Sequence, residues 1–196
     1  MTARQPRALS SAKEDLVANF DAFLPILLRF EGGYVDDPDD PGGETNKGIT
    51  MAMFQECSHE LIGLDPTSQN LRNLTDAQAG IIYRARYWNK MQGDAFALQG
   101  LADIVCDFYV NAGTRATQLL QHVVNDMGGR VVEDGTIGPA TLQALAGLKQ
   151  GEVYRRYKAS RIAYYRSLVQ EKPALAKFLQ GWLNRVNAFP DTPAGS

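Results

Sequence analysis

Apolar residues along the chain recur mostly at helical spacing. Phe20, Phe23, Leu24, Leu27 and Leu28 fall at i, i+3, i+4, i+7 and i+8, which lays one apolar stripe along a helix. Pro25 fits if that helix starts near Asp21, because first-turn amides have no intrahelical partner, and Gly32-Gly33 stops it. The run Asp36-Asp37-Pro38-Asp39-Asp40-Pro41-Gly42-Gly43 is turn chemistry too dense for a helix and predicts a hairpin-like loop. A short helix is expected after Thr50. Thr75-Asp76-Ala77-Gln78 is a capping box that opens a helix towards Trp88 and Asn89. Residues 98–110 are apolar nearly all round, the pattern of a central helix, and Asn111-Ala112-Gly113 ends it. Further helices are expected over 115–124, from Pro139 (placed at N1) to about 148, over 152–170, and from Pro173 to near Asn187. Residues 1–19 read as a polar lead-in and 190–196 as a fraying tail. The expected fold class is mainly α, with one small β-hairpin or loop element after the first helix.

Composition changes this picture little. At 196 residues, 44% hydrophobic and 21% charged, the chain has the make-up of one ordinary globular domain. Its net charge of −2 conceals an asymmetry. Residues 1–112 carry 9 Lys/Arg against 16 Asp/Glu, and residues 113–190 carry 11 against 5. A basic second half points to an anionic partner: nucleic acid, a membrane surface or an acidic polymer such as cell wall. Cys57 and Cys106 read as buried, reduced thiols. Ser10, Ser11, Lys13, Glu14 and Asp15 interrupt any signal-peptide core behind Arg4 and Arg7. No run approaches the roughly 18 apolar residues of a membrane span. Synthesis in the cytoplasm without a signal peptide is therefore expected, with a holin or secretion apparatus needed for any work outside. His59 and His122 lack metal-ligand spacing, and no metal or organic cofactor is expected.

Candidate chemistry centres on Glu31. Expected in the last turn of a helix, it meets the negative end of the macrodipole and apolar surface from Phe30 and Leu27. Both disfavour the carboxylate, so a raised pKa is expected, as a general acid requires. Asp36, Asp37, Asp39, Asp40 and Glu44 supply a second carboxylate within reach, and two carboxyls flanking a cleft suit acid-catalysed glycoside cleavage. A calcium loop is a poor alternative: counted from Asp37, position 5 is Pro41 and position 12 is Gly48.

The stretch Glu31-Gly-Gly-Tyr-Val-Asp-Asp-Pro-Asp-Asp-Pro-Gly-Gly-Glu-Thr-Asn-Lys-Gly-Ile-Thr50 resembles the signature of glycoside hydrolase family 108, N-acetylmuramidases of phage and bacterial origin that include secretion-activator types. The likeness continues through Tyr87-Trp88 and Asp107-Phe-Tyr-Val-Asn111-Ala-Gly113. Asp134-Gly-Thr-Ile-Gly-Pro139 and Gly181-Trp182-Leu-Asn-Arg185 resemble the family's predicted peptidoglycan-binding portion. The resemblance implies a lysozyme-like two-lobed fold, with residues 20–112 as catalytic lobe and 113–190 as peptidoglycan-binding lobe. It also implies hydrolysis of the β-1,4 bond between N-acetylmuramic acid and N-acetylglucosamine, with Glu31 as the acid. A more distant likeness to phage-type lysozymes, where an Asp lies nine positions after the Glu and a Thr fifteen after, points to Asp40 as the second carboxylate. Asp37, Asp39 and Glu44 are rivals. Asn46 occupies the Thr position with Thr45 beside it, and these two, with Thr50, join Tyr34, Tyr109 and Asn111 as expected substrate contacts.

The helix over 152–170 interleaves Arg155, Arg156, Lys158, Arg161 and Arg166 with Tyr154, Tyr157, Tyr164 and Tyr165. A nucleic-acid stripe is one reading. One packed face with Arg161 reaching through it and a solvated basic face fits the spacing better, so no nucleic-acid partner is expected. Trp88 and Trp182 read as core anchors. The competing functional classes are a wall-binding module without catalysis and a chitinase or chitosanase.

Overall fold

Asn19 begins the first helix: its side chain accepts a hydrogen bond from the Asp21 amide and caps α1 (Phe20–Leu28). The computed structural model describes residues 17–36 and 43–193; the expectations for residues 1–16 and 194–196 lie outside them. The α1 stripe buries Phe20, Phe23 and Leu27. Phe23 stacks on Trp88 at 5.6 Å and Phe20 meets the same indole edge-on, so Trp88 is a core anchor as expected. The helix stops before the glycines, because Phe30 leaves it to stack on Phe189.

Val35 bridges to Thr45, which opens a two-stranded antiparallel hairpin of β1 (Thr45–Asn46) and β2 (Ile49–Thr50). Lys47 (φ 51°) and Gly48 (φ 73°) form its turn, both left-handed as a two-residue hairpin turn requires. Thr50 then caps α2 (Met51–Ile62) by accepting from the Met53 amide. Helix α3 (Ser68–Arg72) was not expected; it is too short to show periodicity. The capping box forms as read, with Thr75 and Gln78 bonded reciprocally at the start of α4 (Asp76–Tyr83). Thr75→Ala should lower unfolding stability by about 1 kcal/mol, measured by urea denaturation. Beyond α4 the chain widens into one π turn, Arg84–Trp88.

Helix α5 (Gln99–Ala112) runs through the centre, and everything from Leu101 to Phe108 on it is buried. Helix α6 (Thr114–Asp126) and α8 (Gln150–Glu171) pack on α5. Between them lies α7 (Pro139–Ala146), with Pro139 in the first turn as expected. A 3₁₀ turn, Pro173–Leu175, precedes α9 (Ala176–Asn187), which packs along α8. The fold is thus mainly α with one small hairpin. Cys57 and Cys106 are free, buried thiols. The tail does not fray from residue 190. The Pro190 carbonyl accepts from the Tyr154 hydroxyl, and Lys158 donates to Asp191 at 2.7 Å.

Asp103 is a buried acid on α5 whose bonded neighbour is an amide, Gln99 Nε2 at 2.6 Å. Burial, with a smaller contribution from Asp107, pushes its pKa up to about 7 against the Gln99 bond. A folded pKa above the unfolded one means that the native state holds the proton longer. Stability is therefore full below the unfolded pKa of about 4 and falls as pH rises towards 7. Asp103→Asn keeps the acceptor for Gln99 and removes the charge. Its melting temperature should exceed the parent's by several degrees more at about pH 8 than at about pH 4.5. A constant difference across that range would refute the assignment.

Candidate active site

Glu31 follows α1 closely, its amide still donating to the Leu27 carbonyl at 3.3 Å. The cation that pairs with Glu31 arrives from 154 positions away: Arg185 Nη2 on α9 donates to Glu31 Oε1 at 2.8 Å. Arg185 also lies over the Phe30 ring at 4.9 Å. Its Nε donates to Asp107 Oδ1 at 2.9 Å, and Arg161 Nη2 donates to Asp107 Oδ2 at 2.7 Å. Arg161 donates onward to the Ile104 carbonyl and the Tyr165 hydroxyl, both at 3.3 Å, and faces the Phe108 ring at 4.7 Å. The result is one chain of charges, Arg161–Asp107–Arg185–Glu31. Its inner pair is fully buried, while the side chains of Arg185 and Glu31 keep 16% and 15% exposure. Burial opposes the Arg185 charge, but the carboxylates of Asp107 and Glu31 outweigh it and hold the guanidinium above its usual pKa.

The hairpin turn closes over the other Glu31 oxygen. A Cβ at Gly48 would overlap Glu31 Oε2 and the Tyr83 hydroxyl, so only glycine fits there. The Tyr83 hydroxyl donates to the Lys47 carbonyl at 2.8 Å, tying α4 to that turn. Burial first, then the Glu31 charge, push the Tyr83 phenol pKa up, so it remains a donor. Tyr87 lies 5.7 Å from Tyr83 and 6.2 Å from Tyr109, ring centre to ring centre. An aromatic wall therefore runs from the acid to Tyr109.

The expected contacts fall into two groups. Tyr109 joins the aromatic wall, and Asn111 Nδ2 donates to the Asp107 carbonyl at 2.6 Å beside the ion chain. Around the hairpin, the Tyr34 hydroxyl accepts from Arg72 Nη2 at 3.0 Å, and Arg72 also stacks over its ring. Thr45 reaches the Gly43 carbonyl at 3.5 Å, Thr50 caps α2, and Asn46 Nδ2 holds the carbonyls of Leu71 and Arg72 at 2.8 and 3.0 Å. Those bonds of Asn46 and Thr50 serve the fold. Asp37, Asp39 and Asp40 lie outside the described residues. Glu44 Oε2 is buried without a hydrogen-bond partner among the described residues.

Sequence reasoning missed Arg185, Asp107, Tyr83 and Gly48 as parts of one site. The available signal was an acid, Asp107, inside an apolar helix, since a buried charge requires a counterion. Trp182 is not the core anchor expected of it. It is half-buried, stacked on Tyr165 at 5.1 Å and on the exposed Phe178 at 5.9 Å.

The Glu31 carboxyl thus stands at a junction of helix, hairpin and a second helical layer, bordered by tyrosines. The glycosyl hydrolase 108 family matches residues 24–113, and a predicted peptidoglycan domain matches residues 115–187. The solved structure of Brucella abortus SagA is similar, with 31% sequence identity, a TM-score of 0.64, and coverage of 90% of this chain and 98% of that one. No curated protein sequence matches the chain significantly. The chain belongs to glycosyl hydrolase family 108 and is a glycoside hydrolase that acts on peptidoglycan.

Proposed function

We propose that the protein cleaves the β-1,4 bond between N-acetylmuramic acid and N-acetylglucosamine, with Glu31 as the general acid. The observation that carries this reading is how Glu31 is held: Arg185 occupies Oε1, while Oε2 accepts no hydrogen bond from the described residues and lies against Gly48. Oε1 is fixed and Oε2 delivers the proton to the glycosidic oxygen as the C–O bond breaks. Asp40, six positions after Tyr34, is the proposed second carboxylate, activating water or stabilising the oxocarbenium ion. Tyr87 and Tyr109 offer aromatic surface for pyranose rings, with Tyr34, Thr45, Thr50 and Asn111 as polar contacts.

In this reading residues 20–112 carry the chemistry and residues 113–190 hold the wall. The place of action is the bacterial cell wall, which lies in the periplasm of a Gram-negative host. Mass spectrometry of digested sacculi tests the reading. New reducing ends on N-acetylmuramic acid are expected. Reducing ends on N-acetylglucosamine would overturn the bond assignment. Sacculus binding with no cleavage would make the protein a wall-binding module, and cleavage of chitin alone would make it a chitinase.

A further inference from the structure

Arg185 also lines a recess of about 170 Å³. Phe108 and Asn111 of α5 form one side, and Tyr164, Leu168, Trp182 and Arg185 of α8 and α9 form the other. The walls thus come from both sequence portions matched above. Trp182 stacks on Tyr165 with 24° between rings, and Phe178 extends the same stack outward, 47% exposed. The polar equipment is sparse. Arg185 commits Nε and Nη2 to Asp107 and Glu31, and its Nη1 meets no acceptor among the described residues. Asn111 commits Nδ2 to the Asp107 carbonyl, which leaves its Oδ1 to accept. No acidic side chain lines the recess.

One guanidinium donor and one amide acceptor inside aromatic and aliphatic walls suit a chain of amides with small apolar side groups and a carboxylate. They suit a polyhydroxylated sugar chain less well, because its hydroxyls would find few partners. We infer that this recess binds the anionic peptide arm of the glycan, its carboxylate on Arg185 and a peptide N–H on the Asn111 oxygen. The inference rests on the murein reading above, in which N-acetylmuramic acid beside the scissile bond carries such an arm. Because Arg185 holds Glu31 as well, the arm and the acid share one side chain, and glycan bearing peptide is the preferred substrate.

Tryptophan emission reads the recess without any turnover. The chain has two tryptophans; Trp88 is fully buried, and Trp182 is in the recess wall. Titrating the full chain with a sugar-free stem tetrapeptide should change emission saturably. Asn111→Asp, which sets a carboxylate against the incoming one at an exposed position, should weaken the apparent affinity by about 10-fold or more. Leu168→Glu is the second variant and should act in the same direction, with circular dichroism confirming that both fold. A saturable response to peptide-free glycan strands and none to the peptide would assign the recess to sugar and overturn the proposal. So would a peptide response that neither variant weakens. A parent that releases no reducing ends from sacculi but keeps its peptide response would strike the muramidase reading and leave the recess standing.

Discussion

Glu31→Gln should fold like the parent and lose lysis of purified sacculi by roughly 10²–10⁴-fold, the usual worth of a positioned general acid. Glutamine keeps an oxygen where Arg185 Nη2 now donates to Oε1, so the contact between α9 and the end of α1 survives in weaker, uncharged form. It has no proton to give to a leaving oxygen, and chemistry alone is removed. Turbidity loss of sacculi gives the rate, and thermal melting checks the fold. A variant that lyses sacculi as fast as the parent would falsify the role of Glu31. Asp40→Asn is the companion, with a loss of orders of magnitude expected. If Glu44→Gln shows that loss and Asp40→Asn does not, the second carboxylate is Glu44, whose buried oxygen then has a use.

Glu31 was legible in the sequence because local features mark it: an apolar stripe that ends, two glycines, and a carboxylate-rich turn. The same holds for the helices, whose periodicity needs only a dozen neighbours, and for the Thr75–Gln78 box, which needs four. The charge chain was not legible as a unit. Arg161 and Asp107 are 54 positions apart, and Arg185 and Asp107 are 78 apart. Periodicity carries no record of which distant helix faces which. Each member carried a partial mark, Arg161 on the aromatic face of its helix and Asp107 in an apolar run, but only the fold pairs them. The structure also revises the meaning of the charge asymmetry. Two cations of the basic half, Arg161 and Arg185, clip the acids of the first half, and Arg161, fully buried, adds nothing to a surface that attracts the wall. Asn46 shows the opposite failure. A motif position suggested substrate, whereas its amide nitrogen serves the end of α3, a helix too short to foresee.

Asp107→Ala should be the most destabilising single change in the site, lowering unfolding stability by about 3–5 kcal/mol. Asp107 is fully buried and takes charge-assisted bonds from two arginines, at 2.7 Å from Arg161 and 2.9 Å from Arg185. Removing it leaves the Arg161 guanidinium fully buried with only a carbonyl and a hydroxyl as acceptors. Most of the loss is therefore the cost of an unpaired charge, which exceeds the net worth of the pair itself. That division can be measured. Adding Arg161→Met to Asp107→Ala removes the stranded charge and refills its volume with a flexible apolar chain, so the double variant should recover part of the lost stability. Denaturant melts of the parent, both single variants and the double variant complete the cycle. Simple additivity of the two losses would show that Arg161 is not stranded by the loss of Asp107. The coupling also bears on activity, because Arg185 loses its anchor along with Asp107 and no longer holds Glu31 in one place. Sacculus hydrolysis should therefore stay impaired in the double variant even where its stability returns, since the methionine restores packing at position 161 and supplies nothing to orient Arg185.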